Sequence, residues 1–143
     1  MSAPYILVVD DEPDICGLVK EILEDENYEV GTAENGASAR RALRERRPDL
    51  ILLDVMMPGM NGFETCRVLK KDKVTQDIPI IFMTALSDTE DKVKGFALGA
   101  VDYVTKPIEE QEVLARVNTQ LALRQSLHDI RSQNQEIERR NRE

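Results

Sequence analysis

The sequence predicts an α/β protein: a five-stranded parallel sheet, doubly wound by helices on both faces. Five short aliphatic runs alternate with segments of helical periodicity along the 143 residues. The first, third and fourth runs are almost continuously apolar, as strands covered on both faces must be. Strands alternating with helices at this spacing imply βαβ units and hence parallel pairing.

Each element has a local reason. "YILVV" (5–9) is the first strand, and Pro13 suits the first turn of the helix that follows, with Asp11 or Glu12 before it. Ile15, Leu18, Val19, Ile22 and Leu23 then recur at helical spacing. "YEVGTA" (28–33) is the second strand; Glu34-Asn35-Gly36 turns into "ASARRALRERR", which Pro48 stops. "LILLD" (50–54) is the third. Gly59 and Gly62 flank the loop after it, and Asn61-Gly62 opens "FETCRVLKK". After the fourth run, "IPIIFM" (78–83), Ser87 or Asp88 can cap "TEDKVKGFALGA", and Gly99 ends that helix. "VDYV" (101–104) is the fifth strand, and Pro107 opens a last helix expected to run to the chain end.

Composition narrows the function classes. Hydrophobic residues are 41% of the chain but aromatics only 4%, so the core of this single domain must be aliphatic. No apolar run approaches the roughly 20 residues of a membrane span, and nothing at the start reads as a signal peptide. Cys16 and Cys66 lack CxxC spacing and read as small apolar residues in a reducing cytosol. The net charge is −8, and the last twenty residues carry five arginines against four acids, so the remainder is near −9. That balance argues against direct nucleic-acid binding.

The chemistry gathers at one edge. In an open parallel sheet, ligands collect beyond the carboxyl ends of strands where strand order reverses. With the first strand central, that crevice lies between the ends of strands one and three, which carry Asp10-Asp11 and Asp54. Thr84 ends the fourth strand, and the fifth runs into Thr105-Lys106-Pro107. Taken singly, these residues have structural roles: Asp11 or Asp54 as helix caps, Thr84 as a strand former, Lys106 as a solvated charge. Taken together, three converging carboxylates repel, each pair at ~4 Å costing ~1 kcal/mol in water and ~4 kcal/mol at an effective dielectric of ~20. A hard divalent cation removes that cost, and two carboxylates with water and phosphate oxygens suit Mg²⁺ better than Ca²⁺.

Four stretches, "ILVVDDEP", "PDLILLDVMMPGMNGFE", "IPIIFMTAL" and "GAVDYVTKP", resemble the receiver domain of two-component response regulators, in family order from residue 5 to about 122. The resemblance implies the flavodoxin-like strand order 2-1-3-4-5. It implies Asp54 as phosphoacceptor, and Asp10 and Asp11 as the Mg²⁺-holding pair beside Asp54, with the Met56 backbone carbonyl as a further ligand. Lys106, the Thr84 hydroxyl and the Ala85 N–H would hold phosphoryl oxygens, as positioning and charge neutralisation dominate phosphoryl transfer. Tyr103 resembles a switch residue coupled to Thr84, and the Lys106–Pro107 bond is expected to be cis. A histidine kinase or phosphotransfer protein would be the phosphodonor. The domain would be a cytoplasmic switch that assists only its own phosphoryl acceptance and slow loss. A lone receiver or phosphorelay intermediate is the alternative.

Rival classes fit less well. An aspartate-nucleophile phosphatase wants a second aspartate two residues after the first, where Met56 stands. No Gly-rich phosphate loop follows the first strand, which disfavours a nucleotide-binding fold. "SLHDIRSQ" faintly resembles a phosphohistidine box around His128, but it departs from the pattern at Leu127 and Gln133.

The chain divides into a receiver, 1–122, and a helical extension, 123–143, expected to lead toward a further output domain. Leu114, Val117 and Leu121 should face the core. From Gln120 a heptad takes over, placing Gln120, Leu123, Leu127, Ile130, Asn134, Ile137 and Asn141 in an a/d seam. Asn at a positions fixes register in parallel two-stranded coils, so a parallel homodimer is expected.

Overall fold

The computed structural model describes residues 3–85 and 89–141; the side chains of 86–92, 128–129 and 131–143 lie outside the description. In chain order the elements are β1 (Tyr5–Val9), α1 (Pro13–Asp25), β2 (Glu29–Ala33), α2 (Gly36–Glu45), β3 (Leu50–Asp54), α3 (Gly62–Lys71), β4 (Ile80–Ala85), α4 (Thr89–Ala97), β5 (Asp102–Lys106) and α5 (Glu110–Asn141). All strand pairs are parallel and the order is β2-β1-β3-β4-β5. β1 is therefore central enough to share a switch point with β3.

The alternation of strand side chains explains the continuous apolar runs. Ile6, Val8, Leu50, Leu52, Ile81 and Met83 face one layer, where Val19, Ile22 and Leu23 of α1 and Val113 and Val117 of α5 close over them. Leu7, Val9, Ile51, Leu53, Ile80 and Phe82 face the other, against Ala39 of α2 and Phe63, Cys66 and Leu69 of α3. Side chains such as Leu52 and Leu53 are wholly buried, and truncating one to alanine costs about 2–5 kcal/mol. Leu114 and Leu121 pack partly buried on the α1–α5 side, as the helical spacing predicts.

Several boundaries differ from the sequence expectation. β2 starts at Glu29 rather than 28. β4 begins at Ile80 because Pro79 has no N–H to donate; its carbonyl accepts from Ile51 N at 3.0 Å, while Ile78 closes a turn onto Thr75. β4 and β5 instead extend to Ala85 and Lys106, held by the pairs Thr84↔Thr105 and Ala85↔Lys106. Thr84 and Lys106 are thus strand residues. α5 begins at Glu110 rather than Pro107, and the Glu109 carboxylate accepts from the Gln111 and Glu112 N–H groups.

Helix entries follow capping chemistry. Asn35 and Ser38 exchange reciprocal bonds at the start of α2, and Asn61 accepts from the Glu64 N–H at the start of α3. Glu12 precedes α1 but its side chain caps nothing. The proposed Ser87 or Asp88 cap lies outside the described residues. Gly99 ends α4 at φ 105°, which only glycine adopts freely.

Candidate functional site

β1 and β3 end side by side, so Asp10 and Asp54 emerge at the same level of the sheet, with Asp11 one residue beyond. Carboxylate oxygens of Asp10, Asp11 and Asp54 all lie within 4.8 Å of one another. Asp10 and Asp54 are only 1% and 3% exposed, which makes the convergence costly unless a cation joins it. Among the described residues no other group of three or more such side chains is drawn together.

Lys106 supplies part of the compensation. Its ammonium lies 2.9 Å from Asp10 Oδ2 and 3.1 Å from Asp54 Oδ1. It reaches there from the end of β5, and the Lys106–Pro107 bond is cis, as the resemblance implies. Two backbone donors complete the carboxylate shell: Glu12 N–H to Asp10 Oδ1 at 2.9 Å and Met56 N–H to Asp54 Oδ1 at 3.2 Å.

One ammonium does not balance the site. Burial, reinforced by the Asp10 charge and opposed by Lys106, pushes the Asp54 carboxyl from 3.8 up to about 7. Burial also works against the Lys106 ammonium, but the hydrogen bond to Asp10 and the Asp54 charge outweigh it and hold its pKa above the ordinary value. A second cation at the three carboxylates would return Asp54 to its ionised form. The all-oxygen, hard donor set fits Mg²⁺.

Thr84 stands at 3% exposure with its hydroxyl buried and without a hydrogen-bond partner. An orphaned hydroxyl in a core costs free energy. Ala85, next along, is exposed at the mouth. Tyr103 packs on the same cluster as Phe82, two residues before Thr84. It is half-buried, edge-on to Phe96 at 5.8 Å between centroids, with the Arg116 guanidinium 5.8 Å from its ring.

Two glycines shape the loop after β3. A Cβ at Gly62 would overlap the Asp54 carbonyl, so α3 can start this close to the site only without a side chain. Gly59 takes φ 76° in open space. Met56 is 75% exposed at the rim.

Some contributors carry no sequence signal. Glu112 of α5 accepts from both Thr105 N–H, at 2.7 Å, and Thr105 Oγ1, at 3.0 Å, clamping the residue before Lys106. Arg124 reaches past the expected boundary at 122 to donate to the carbonyls of Asp49, at 3.1 Å, and Asp77, at 3.4 Å. Cys16 and Cys66 are buried free thiols whose pKa burial raises, which leaves them inert. The side chain of His128 lies outside the described residues.

Fold and site together define a (βα)5 domain whose acid–lysine cluster sits at the carboxyl edge of a parallel sheet. The profile of the response regulator receiver domain matches residues 6–118, and the chain belongs to that family. It is 46% identical over 116 residues to the DNA-binding response regulator MtrA of Mycolicibacterium smegmatis, covering 81% of this chain and 50% of that protein. It is likewise 46% identical over 121 residues to the phosphate regulon transcriptional regulatory protein PhoB of Pseudomonas aeruginosa, covering 85% and 53%. The chain thus spans about half the length of these curated relatives. Among solved structures, a putative response regulator from Chloroflexus aurantiacus superposes with TM-score 0.82 at 34% identity, covering 85% of this chain and 99% of that one. The chemotaxis protein CheY4 of Vibrio cholerae does so with TM-score 0.78 at 32% identity, covering 82% and 98%. Among the described residues no helix is long and apolar enough to cross a membrane.

Proposed function

We propose that this chain is a phosphorylation-driven switch in which Asp54 takes a phosphoryl group from a phosphohistidine of a histidine kinase or phosphotransfer protein. The observation that carries the proposal is the meeting of Asp54 with Asp10, Asp11 and Lys106, beside the orphaned Thr84 hydroxyl. Asp54 Oδ attacks phosphorus as the P–N bond breaks; the donor ring, protonated on its other nitrogen beforehand, takes the bonding pair and leaves as neutral imidazole. Lys106 neutralises a phosphoryl oxygen, while the Thr84 hydroxyl and the Ala85 N–H donate to the others. Mg²⁺ held by Asp10, Asp11, Asp54 and the Met56 carbonyl would supply the remaining charge neutralisation.

Drawing Thr84 toward the phosphoryl group leaves room that Tyr103 fills, so α4, β5 and α5 shift together as one population change. No second substrate is turned over, which makes the domain a signal carrier rather than an enzyme acting on others. We place the receiver at 1–122 in the cytoplasm. The extension at 123–143 would pair in parallel with a second copy and carry the state to an output module. Support for that pairing is the exposure of Leu123, Leu127 and Ile130, at 51%, 56% and 52%. Its continuation at Asn134, Ile137 and Asn141 lies among side chains outside the description.

Acetyl phosphate with Mg²⁺ tests the site. Intact-mass measurement should show one phosphoryl group on the wild type, none on Asp54→Asn, and a higher Mg²⁺ requirement for Asp11→Asn. Stoichiometric labelling of Asp54→Asn would overturn the assignment.

A further inference from the structure

The chain as a whole is acidic, yet residues 36–47 carry five arginines and one glutamate, so this segment is +4 and the other 131 residues are −12. Arg46 and Arg47 are used internally: Arg46 pairs with Glu29 and lies over the Tyr5 ring, and Arg47 donates to the Val74 carbonyl. Arg40, Arg41 and Arg44 are exposed and make no ion pair among the described residues. Arg40 and Arg44 are one helical turn apart, so they share a face of α2.

That face borders a cleft of about 290 Å³ between α2, α3 and the turn after α3. Its apolar lining includes Leu43, Val68 and Val74, and Val74 is 64% exposed. Two unpaired guanidiniums therefore stand at the rim of an apolar slot. An amphipathic segment that buries aliphatic side chains and presents carboxylates matches both features, with bidentate Arg–carboxylate pairs at the edge.

We propose that the α2–α3 cleft is a docking surface for an acidic amphipathic helix of a partner protein. Charge chooses this occupant. A partner with acidic residues is repelled by the acidic remainder of the receiver and steered to its two basic segments, residues 36–47 at +4 and residues 67–73 at +3, which flank the cleft. Nucleic acid fits worse: one phosphate charge per ~1.7 Å of duplex would run off this small patch onto acidic surface. The proposal does not depend on Asp54 as phosphoacceptor.

The probe is a short synthetic helix of glutamate, alanine and leucine, titrated into the full ¹⁵N-labelled chain. Saturable shifts confined to α2, α3 and the turn at 72–75 are expected. Arg40→Glu/Arg44→Glu should weaken binding about tenfold or more, and Val74→Ser should weaken it with no change of charge. Arg41→Glu, outside the cleft, should retain most of the affinity. Unchanged circular dichroism and unchanged thermal unfolding would show that the variants are folded. The proposal is overturned by absent or scattered shifts, or by equal loss in Arg41→Glu and Arg44→Glu. It is equally overturned if a duplex oligonucleotide engages the same residues more tightly than the peptide.

Discussion

Neutralising Asp54 should stabilise the metal-free protein. Asp54 is buried beside Asp10, and its carboxyl is raised from 3.8 to about 7, so the folded chain holds a proton that the unfolded chain has released. Stability from this group is complete below the unfolded value and is lost as pH rises toward 7. Linkage between those two values puts the penalty at about 4 kcal/mol near pH 7.5 and about 1 kcal/mol near pH 4.5. Asp54→Asn abolishes the titration; the value of about 7 is already net of the Lys106 attraction, so only a poorer fit of the amide offsets the gain, which should be at least about 2 kcal/mol at the higher pH. For a domain of this size that is about 8 °C in Tm. Thermal unfolding followed by circular dichroism, in chelator, at both pH values, measures it directly. The variant should melt higher near pH 7.5 and almost level with wild type near pH 4.5, and added Mg²⁺ should raise the wild type more than the variant. A variant no more stable than wild type at the higher pH, or a gain independent of pH, would refute the account of a charge-frustrated site.

Gly62→Ala should cost about 2–3 kcal/mol in urea unfolding, because its Cβ meets the Asp54 carbonyl, a backbone atom that cannot move aside. Thr84→Val removes an unpartnered buried hydroxyl and should leave resting stability unchanged or raise it by about 1 kcal/mol, while NMR shifts at Tyr103 induced by a beryllium trifluoride phosphate mimic should vanish. Arg124→Ala loses two carbonyl contacts and should lower stability by about 1–2 kcal/mol; hydrogen exchange should speed up at the start of the α5 extension, with the site unaffected. Analytical ultracentrifugation at tens of micromolar should find a dimer that Leu127→Glu dissociates, and a wild-type monomer with and without the mimic would sink the coil as a dimerisation element.

By itself the sequence determined the sheet and most of the site. Continuous aliphatic runs can be satisfied only between two layers, and a strand's carboxyl end is a fixed place, so Asp10, Asp54, Thr84 and Lys106 could be assigned to one edge from order alone. Strand order itself came from the family resemblance, since periodicity says nothing about which neighbour a strand chooses. Strand ends were the weakest part: β4 and β5 run two residues further because each pair extends the other, a mutual effect invisible in either run separately. Only tertiary structure decided the energetics. How far burial raises Asp54, whether the Thr84 hydroxyl finds a partner, that Glu112 clamps Thr105 and that Arg124 ties α5 to the far end of the sheet are all contacts between distant segments. The α2 arginines show the same limit from the other side. They are plain in the sequence, but averaging charge over the chain hid them until folding left three of them without an ion pair among the described residues, two of these beside an apolar cleft. Local sequence fixes what each segment is; which charges are left without partners is settled only when the segments meet.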